Sequence, residues 1–131
     1  MLFRSGFGLA RHAQNLSLRL GAIGCRLDLS SLPLLDGALV LLSSCIRSSL
    51  HDQNRAAVQI DASGLRGDSG AQFDALVETL FDPQTSGGLL GVIPRNAANR
   101  LVTTLRKDGQ TAAIIGTLDF TNVGVHLTVN M

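Results

Sequence analysis

The strongest constraint on this chain is a change of apolar period near its start. From Leu9, apolar residues recur at Ala13, Leu16 and Leu20, three or four apart, which predicts a helix that Gly21 can close. Directly afterwards Ile23, Cys25, Leu27 and Leu29 alternate with Gly24, Arg26 and Asp28. Alternation sends successive side chains to opposite faces, so this is a half-buried strand. A helix stripe running straight into a strand stripe points to helices laid on a sheet.

The rest of the chain repeats that theme. Ser30, Ser31, Leu32 and Pro33 form a turn, and 36–45 reads as a short buried helix. Residues 48–55 are polar and read as a loop, followed by a strand at 57–60. The stretch 61–70 holds three glycines and no period, the mark of a long loop. Phe73, Leu76, Val77 and Leu80 have helical spacing. Residues 88–93 are apolar throughout, as in a strand covered on both faces. Pro94 opens a helix with the stripe Ala98, Leu101, Val102 and Leu105, and Gly109 stands where it should stop. Two strands, 112–118 and 123–129, close the chain as a hairpin with its turn near Thr121 and Asn122. In the second, Val123, Val125, Leu127 and Val129 share a face opposite His126. The expected fold is α/β (α+β), a mixed β-sheet with packed helices in a single domain over 1–131.

Composition excludes several classes. The net charge is +1, acids and bases are interleaved, and Trp and Tyr are absent, so nucleic acid is a poor partner. The longest apolar stretch, 34–42, is broken by Asp36 and Gly37 and is too short to cross a bilayer, and no secretory leader is legible. Cys25 and Cys45 show no metal-ligand spacing and suit a reducing, cytoplasmic setting as buried structural thiols. Charged residues make up 16% of the chain and apolar ones 45%. Two readings fit those values: apolar surface covered by a partner, or a well-filled core under a Ser/Thr/Asn/Gln exterior.

The segment with most chemical content runs from Phe81 through Asp82, Pro83, Gln84, Thr85, Ser86, Gly87 and Gly88 to Leu89 and Leu90. Pro83 stops helix propagation, and paired glycines let backbone N–H groups come close to another group. Hydroxyls beside such a turn can donate to phosphate oxygens or merely bond the local backbone. Chemistry alone leaves both readings open.

The wording of 82–90 resembles the C-terminal domain signature of the selenophosphate synthetases (selenide, water dikinases), members of the aminoimidazole ribonucleotide synthetase-like superfamily. A second segment, Ser5, Gly6, Phe7, Gly8, Leu9, Ala10, Arg11 and His12, resembles the family's Thr-Gly-Phe-Gly-Leu-Leu-Gly-His at a helix start. Residues 32–38, Asn54 with Arg55, and Ile115 with Gly116 resemble further family stretches, in order, over essentially the whole chain. The resemblance implies an enzyme that uses ATP and water to turn selenide into selenophosphate, AMP and phosphate. It implies a homodimer, with ATP and Mg²⁺ held mainly by an N-terminal domain that has no counterpart in these residues. It also implies that Thr85, Ser86, Gly87 and Gly88 lie near the ATP phosphates. Gly6 and Gly8 would form the adjoining turn at a helix N-terminus, where amides and the helix dipole favour anions, and Asn54 completes the set.

The departures are specific. Phe3 stands where the family has an acidic residue expected to help bind Mg²⁺, and a phenyl ring cannot ligate a hard cation. Ser49, Leu50 and His51 replace the family's Gly-Gly-Thr. No catalytic residue and no metal ligand is assigned to the chain. His12 has two readings, one near the phosphates and one in helix packing; His51 and His126 are expected to be solvated, and Asp52 and Arg55 to lie on the surface. Beside the enzyme-domain reading stand a non-catalytic pairing module and an ATP-using relative with another substrate. The wording of 83–88 disfavours the last.

Overall fold

The computed structural model describes residues 6–22, 24–61, 70–84, 87–120 and 126–130; at 71, 72 and 126–130 it extends to the backbone only. Five α-helices and three strands are present among them: α1 (Gly8–Arg19), β1 (Gly24–Asp28), α2 (Ala38–Ser43), α3 (His51–Ala56), α4 (Ala71–Glu78), α5 (Arg95–Lys107), β2 (Gly116–Asp119) and β3 (His126–Asn130). A short 3-10 turn, Leu29–Ser31, follows β1. The mixed α and β architecture agrees with the sequence reading.

The sheet has the order β2-β1-β3. β2 runs antiparallel to β1, with Cys25 opposite Leu118, and β3 runs parallel to it, with Cys25 opposite Leu127. The expected closing hairpin is therefore wrong. Two alternating strands joined by a short connection look like a hairpin in sequence, yet each pairs with an opposite edge of β1. Gly116 permits the β1–β2 approach, because a Cβ there would strike the Arg26 carbonyl. The proposed turn at Thr121 and Asn122 and the facing of Val123, Val125 and His126 lie outside the described residues and side chains.

Alternation in β1 holds: Cys25 and Leu27 are buried and Arg26 is exposed. They join Ala10, Ala13, Leu29, Val58, Val77, Leu80 and Phe81 in one core. The α1 stripe is rotated from the expected one. Its buried positions are Gly8, Ala10, Ala13 and Ser17, while Leu9 and Leu16 sit at the margin and Leu20 is exposed. Small residues on the contact line let the helix backbone come close to β1, a factor that an apolarity count ignores. α1 and α5 close as expected, with Ala22 N donating to the Ser17 carbonyl and Gln110 N to the Leu105 carbonyl, each one residue past its glycine.

Other expectations are corrected. Residues 51–56 form α3 rather than a loop, and 57–60 are irregular rather than a strand. Residues 88–93 also form no strand: Leu89 is 71% exposed and Val92 44%. A strand covered on both faces would bury such residues, so this exposure overturns the expectation. The glycine-bearing stretch at 61–70 falls mostly outside the described residues. The turn after β1 is ordered by Asp28, whose carboxylate accepts from Ser30 N at 3.0 Å, Ser30 Oγ at 2.6 Å and Ser31 Oγ at 2.8 Å. Those hydroxyls hold its pKa below the ordinary value.

The two thiols differ. Cys25 is buried, and burial raises its pKa to about 11, whereas Cys45 is exposed rather than structural. Cys45 takes a left-handed backbone (φ 58°) at the end of α2. Alkylation at pH 8 should label Cys45 alone in the native protein, and Cys25 only after denaturation, as peptide mass mapping would show. An unfolded Cys25 ionises near 9.0 and the folded one near 11. The unfolded state thus holds fewer protons between those values, and stability should fall as pH rises through that window.

Candidate functional site

Two sequence motifs far apart in the chain meet at one edge of the core. The first turn of α1 lies on the backbone that leaves α4. Ala10 N donates to the Leu80 carbonyl at 2.9 Å. Gly8 has φ +73°, and a Cβ there would sit 2.6 Å from Leu80 O and 2.9 Å from the Phe81 carbonyl carbon. A glycine is needed on both counts, left-handed backbone and close approach.

Asn54 ties the two motifs together from α3. It is buried, and its Nδ2 donates to Gly6 O at 2.5 Å and to Phe81 O at 3.0 Å. A side-chain amide has two N–H donors, so both are used on backbone. Next to this junction a Cβ on Gly6 would lie 2.9 Å from Leu50 Cδ1 and 3.8 Å from Pro83 Cβ. The loop beyond is tight at Gly87, where a Cβ would fall 2.8 Å from Gln84 Cβ, and open at Gly88. Gln84 Nε2 donates to Asp82 Oδ2 at 2.8 Å.

Of the sequence-selected residues, Gly6, Gly8 and Asn54 are thus in one place with the start of the 82–88 loop. Gly87 and Gly88 continue that loop, and Thr85 and Ser86 lie outside the described residues. One helix-start amide, that of Ala10, is already engaged by Leu80 and is not available to an anion. His12 is half-buried on α1, and burial lowers its pKa.

Sequence reasoning missed a charged cluster beside this junction. His51, expected in solvent, is 0% exposed, and its Nε2 lies 2.5 Å from Glu78 Oε2. Arg55, on the surface as expected, places Nη1 3.0 Å from Glu78 Oε1, and Arg47 Nη1 lies 3.6 Å from Oε2. Arg55 also covers the Phe81 ring at 5.0 Å, and His51 meets the same ring edge-on at 6.3 Å. A signal existed: His51, Asn54 and Val58 are buried at helical spacing. Two of the three are polar, so an apolar count passes over them. Among the described residues, no group of three or more His, Cys, Asp or Glu side chains is placed to hold a metal ion, and no helix is long and apolar enough to cross a membrane.

Comparison with known proteins gives a consistent but partial likeness. No protein-family model matches the chain. Curated relatives named selenide, water dikinase do. One from Aeromonas hydrophila is 34% identical over 116 residues, covering 87% of this chain and 31% of the relative. One from Bdellovibrio bacteriovorus is 32% identical over 112 residues, 86% of this chain and 30% of its own. One from Caldanaerobacter subterraneus is 28% identical over 117 residues, 85% and 30% respectively. The chain spans about 30% of the length of these relatives.

Proposed function

We propose that this chain is the C-terminal part of an ATP-dependent selenide, water dikinase, and that it supplies one wall of a phosphate-facing cleft. The observation that carries this reading is the Asn54 junction, which joins the Gly6–Gly8 turn to the segment leading into 82–88. Those are the two stretches whose wording resembles the family most closely. The similarity to curated relatives over 85% or more of the chain supports the same reading.

The wall suits phosphate oxygens, because paired glycines let backbone N–H groups come close to an anion and the space beside Gly88 is open. The described residues do not suit magnesium, since no carboxylate cluster is present among them, and Phe3 replaces the acid that the resemblance would place there. No magnesium role is therefore assigned to this chain. In the proposed enzyme the nucleophile, the metal ligands and most of the ATP contacts reside in the partner region, the whole working as a cytoplasmic homodimer.

The test is reconstitution. The chain is mixed with the Aeromonas hydrophila relative trimmed of its matching portion, and AMP formation is followed with and without selenide. Selenide-dependent AMP is expected from the mixture and none from this chain alone. A folded, associated mixture that makes no AMP would overturn the proposal. If that mixture also failed to bind nucleotide while the chain formed a stable dimer, the non-catalytic pairing module would replace it, a reading favoured by Phe3 in place of the family's acid.

A further inference from the structure

The geometry points to an oxyanion site on this chain, built by Arg47 and Arg55 over Glu78, that takes a phosphate group. Its layers have opposite exposure. The Glu78 side chain is 9% exposed, while those of Arg47 and Arg55 are 33% and 48% exposed. Both carboxylate oxygens are occupied, Oε1 by Arg55 and Oε2 by His51 and Arg47. The acid forms the base of the site and the two guanidiniums its rim.

The cluster carries more positive charge than burial of Glu78 requires. One buried carboxylate is satisfied by one guanidinium together with the His51 ring. Here two arginines face it, so one positive charge remains before any proton on His51 is counted. Among the described residues no second carboxylate lies within ion-pair distance of either arginine: Asp52 is exposed on α3, and Asp82 is held by Gln84.

The surplus is also accessible to solvent. A guanidinium carries five N–H donors in a planar fork. Glu78 engages Nη1 of Arg55 and the Phe81 ring lies under its guanidinium, while 48% of the side chain stays exposed. Planar forks match tetrahedral oxyanions in bidentate fashion, and two of them beside one another suit a doubly charged phosphate. Arg55 follows Asn54 in sequence and stacks on the residue that opens the 82–88 loop, so the site adjoins the proposed cleft without depending on it.

The test uses the 131-residue chain and reads the arginine Nε–Hε resonances by NMR during titration with inorganic phosphate, at constant ionic strength. Saturable shifts are expected at Arg47 and Arg55, with Arg95 and Arg100 on α5 unmoved. The double variant R47Q/R55Q should bind at least tenfold more weakly, its fold checked by the dispersion of its amide spectrum. Should that variant unfold, R55K serves instead: it keeps the charge, loses the fork, and should still weaken binding several-fold. A parallel titration with ATP separates the sources. Tighter binding of ATP identifies a nucleotide tail, and equal binding identifies free phosphate. Shifts that do not saturate, or that move the α5 arginines equally, would overturn the site. Reconstitution of AMP formation can fail while this binding persists, so the two readings are tested apart.

Discussion

Replacing Gly8 with valine is expected to destabilise the protein by about 2–5 kcal/mol, the largest effect of any single substitution near the site. Two costs add. A side chain at φ +73° occupies a left-handed conformation, at roughly 1–2 kcal/mol, and a β-branched one fits it worst. The new Cβ also meets backbone rather than a flexible side chain, at 2.6 Å from Leu80 O. Relief requires α1 to move off Leu80, which sacrifices the Ala10–Leu80 hydrogen bond. Overpacking of this kind costs about 1–3 kcal/mol. Gly21→Ala is the internal control. It has φ +70°, but nothing lies within 4 Å of its Cβ, so only the conformational cost of about 1 kcal/mol applies. Urea unfolding followed by circular dichroism compares the two. Equal losses would show that the close approach at Leu80 carries no energy.

Removing the Glu78 carboxylate should be the second largest effect, about 2–4 kcal/mol for Glu78→Ala. The arginines contribute little of that, because partly exposed guanidiniums regain water and such pairs are worth about 0–1 kcal/mol. Most comes from His51, which is fully buried and would keep a ring nitrogen with no partner. Its Nδ1 already has none among the described residues, so nothing local can compensate. Arg55→Gln should accordingly cost less than about 1 kcal/mol. Replacing both His51 and Glu78 with leucine removes the stranded groups together and should recover much of the loss. A double-mutant cycle by urea denaturation checks this, and additive losses would mean that the 2.5 Å contact is not the source.

How much of the site was legible depends on what each residue does. The 82–88 turn was visible because a glycine pair and a proline carry backbone consequences wherever they stand, whereas Gly6 and Gly8 were picked out by the family resemblance alone. The role of Asn54 was not derivable from local sequence, since its two acceptors lie 48 and 27 residues away. His51 and Glu78 are 27 residues apart on different helices. Each looks like an ordinary surface residue until the other is opposite it, because polarity predicts exposure unless a partner offsets the cost of burial.

The sequence by itself determined the local elements: the first helix and its stop at Gly21, the alternation of Cys25 and Leu27, and the stop of α5 at Gly109. These follow from periodicity and backbone preference, which act over a few residues. Tertiary structure alone decided which edge of β1 each late strand would take, and that the apolar run at 88–93 would form no strand. It also turned α1 onto its alanines and converted 51–56 into a helix bearing the Asn54 junction and the His51 contact. Those outcomes depend on how closely whole elements approach and which edges and buried charges remain to be matched. Such quantities exist only once the chain has been brought together.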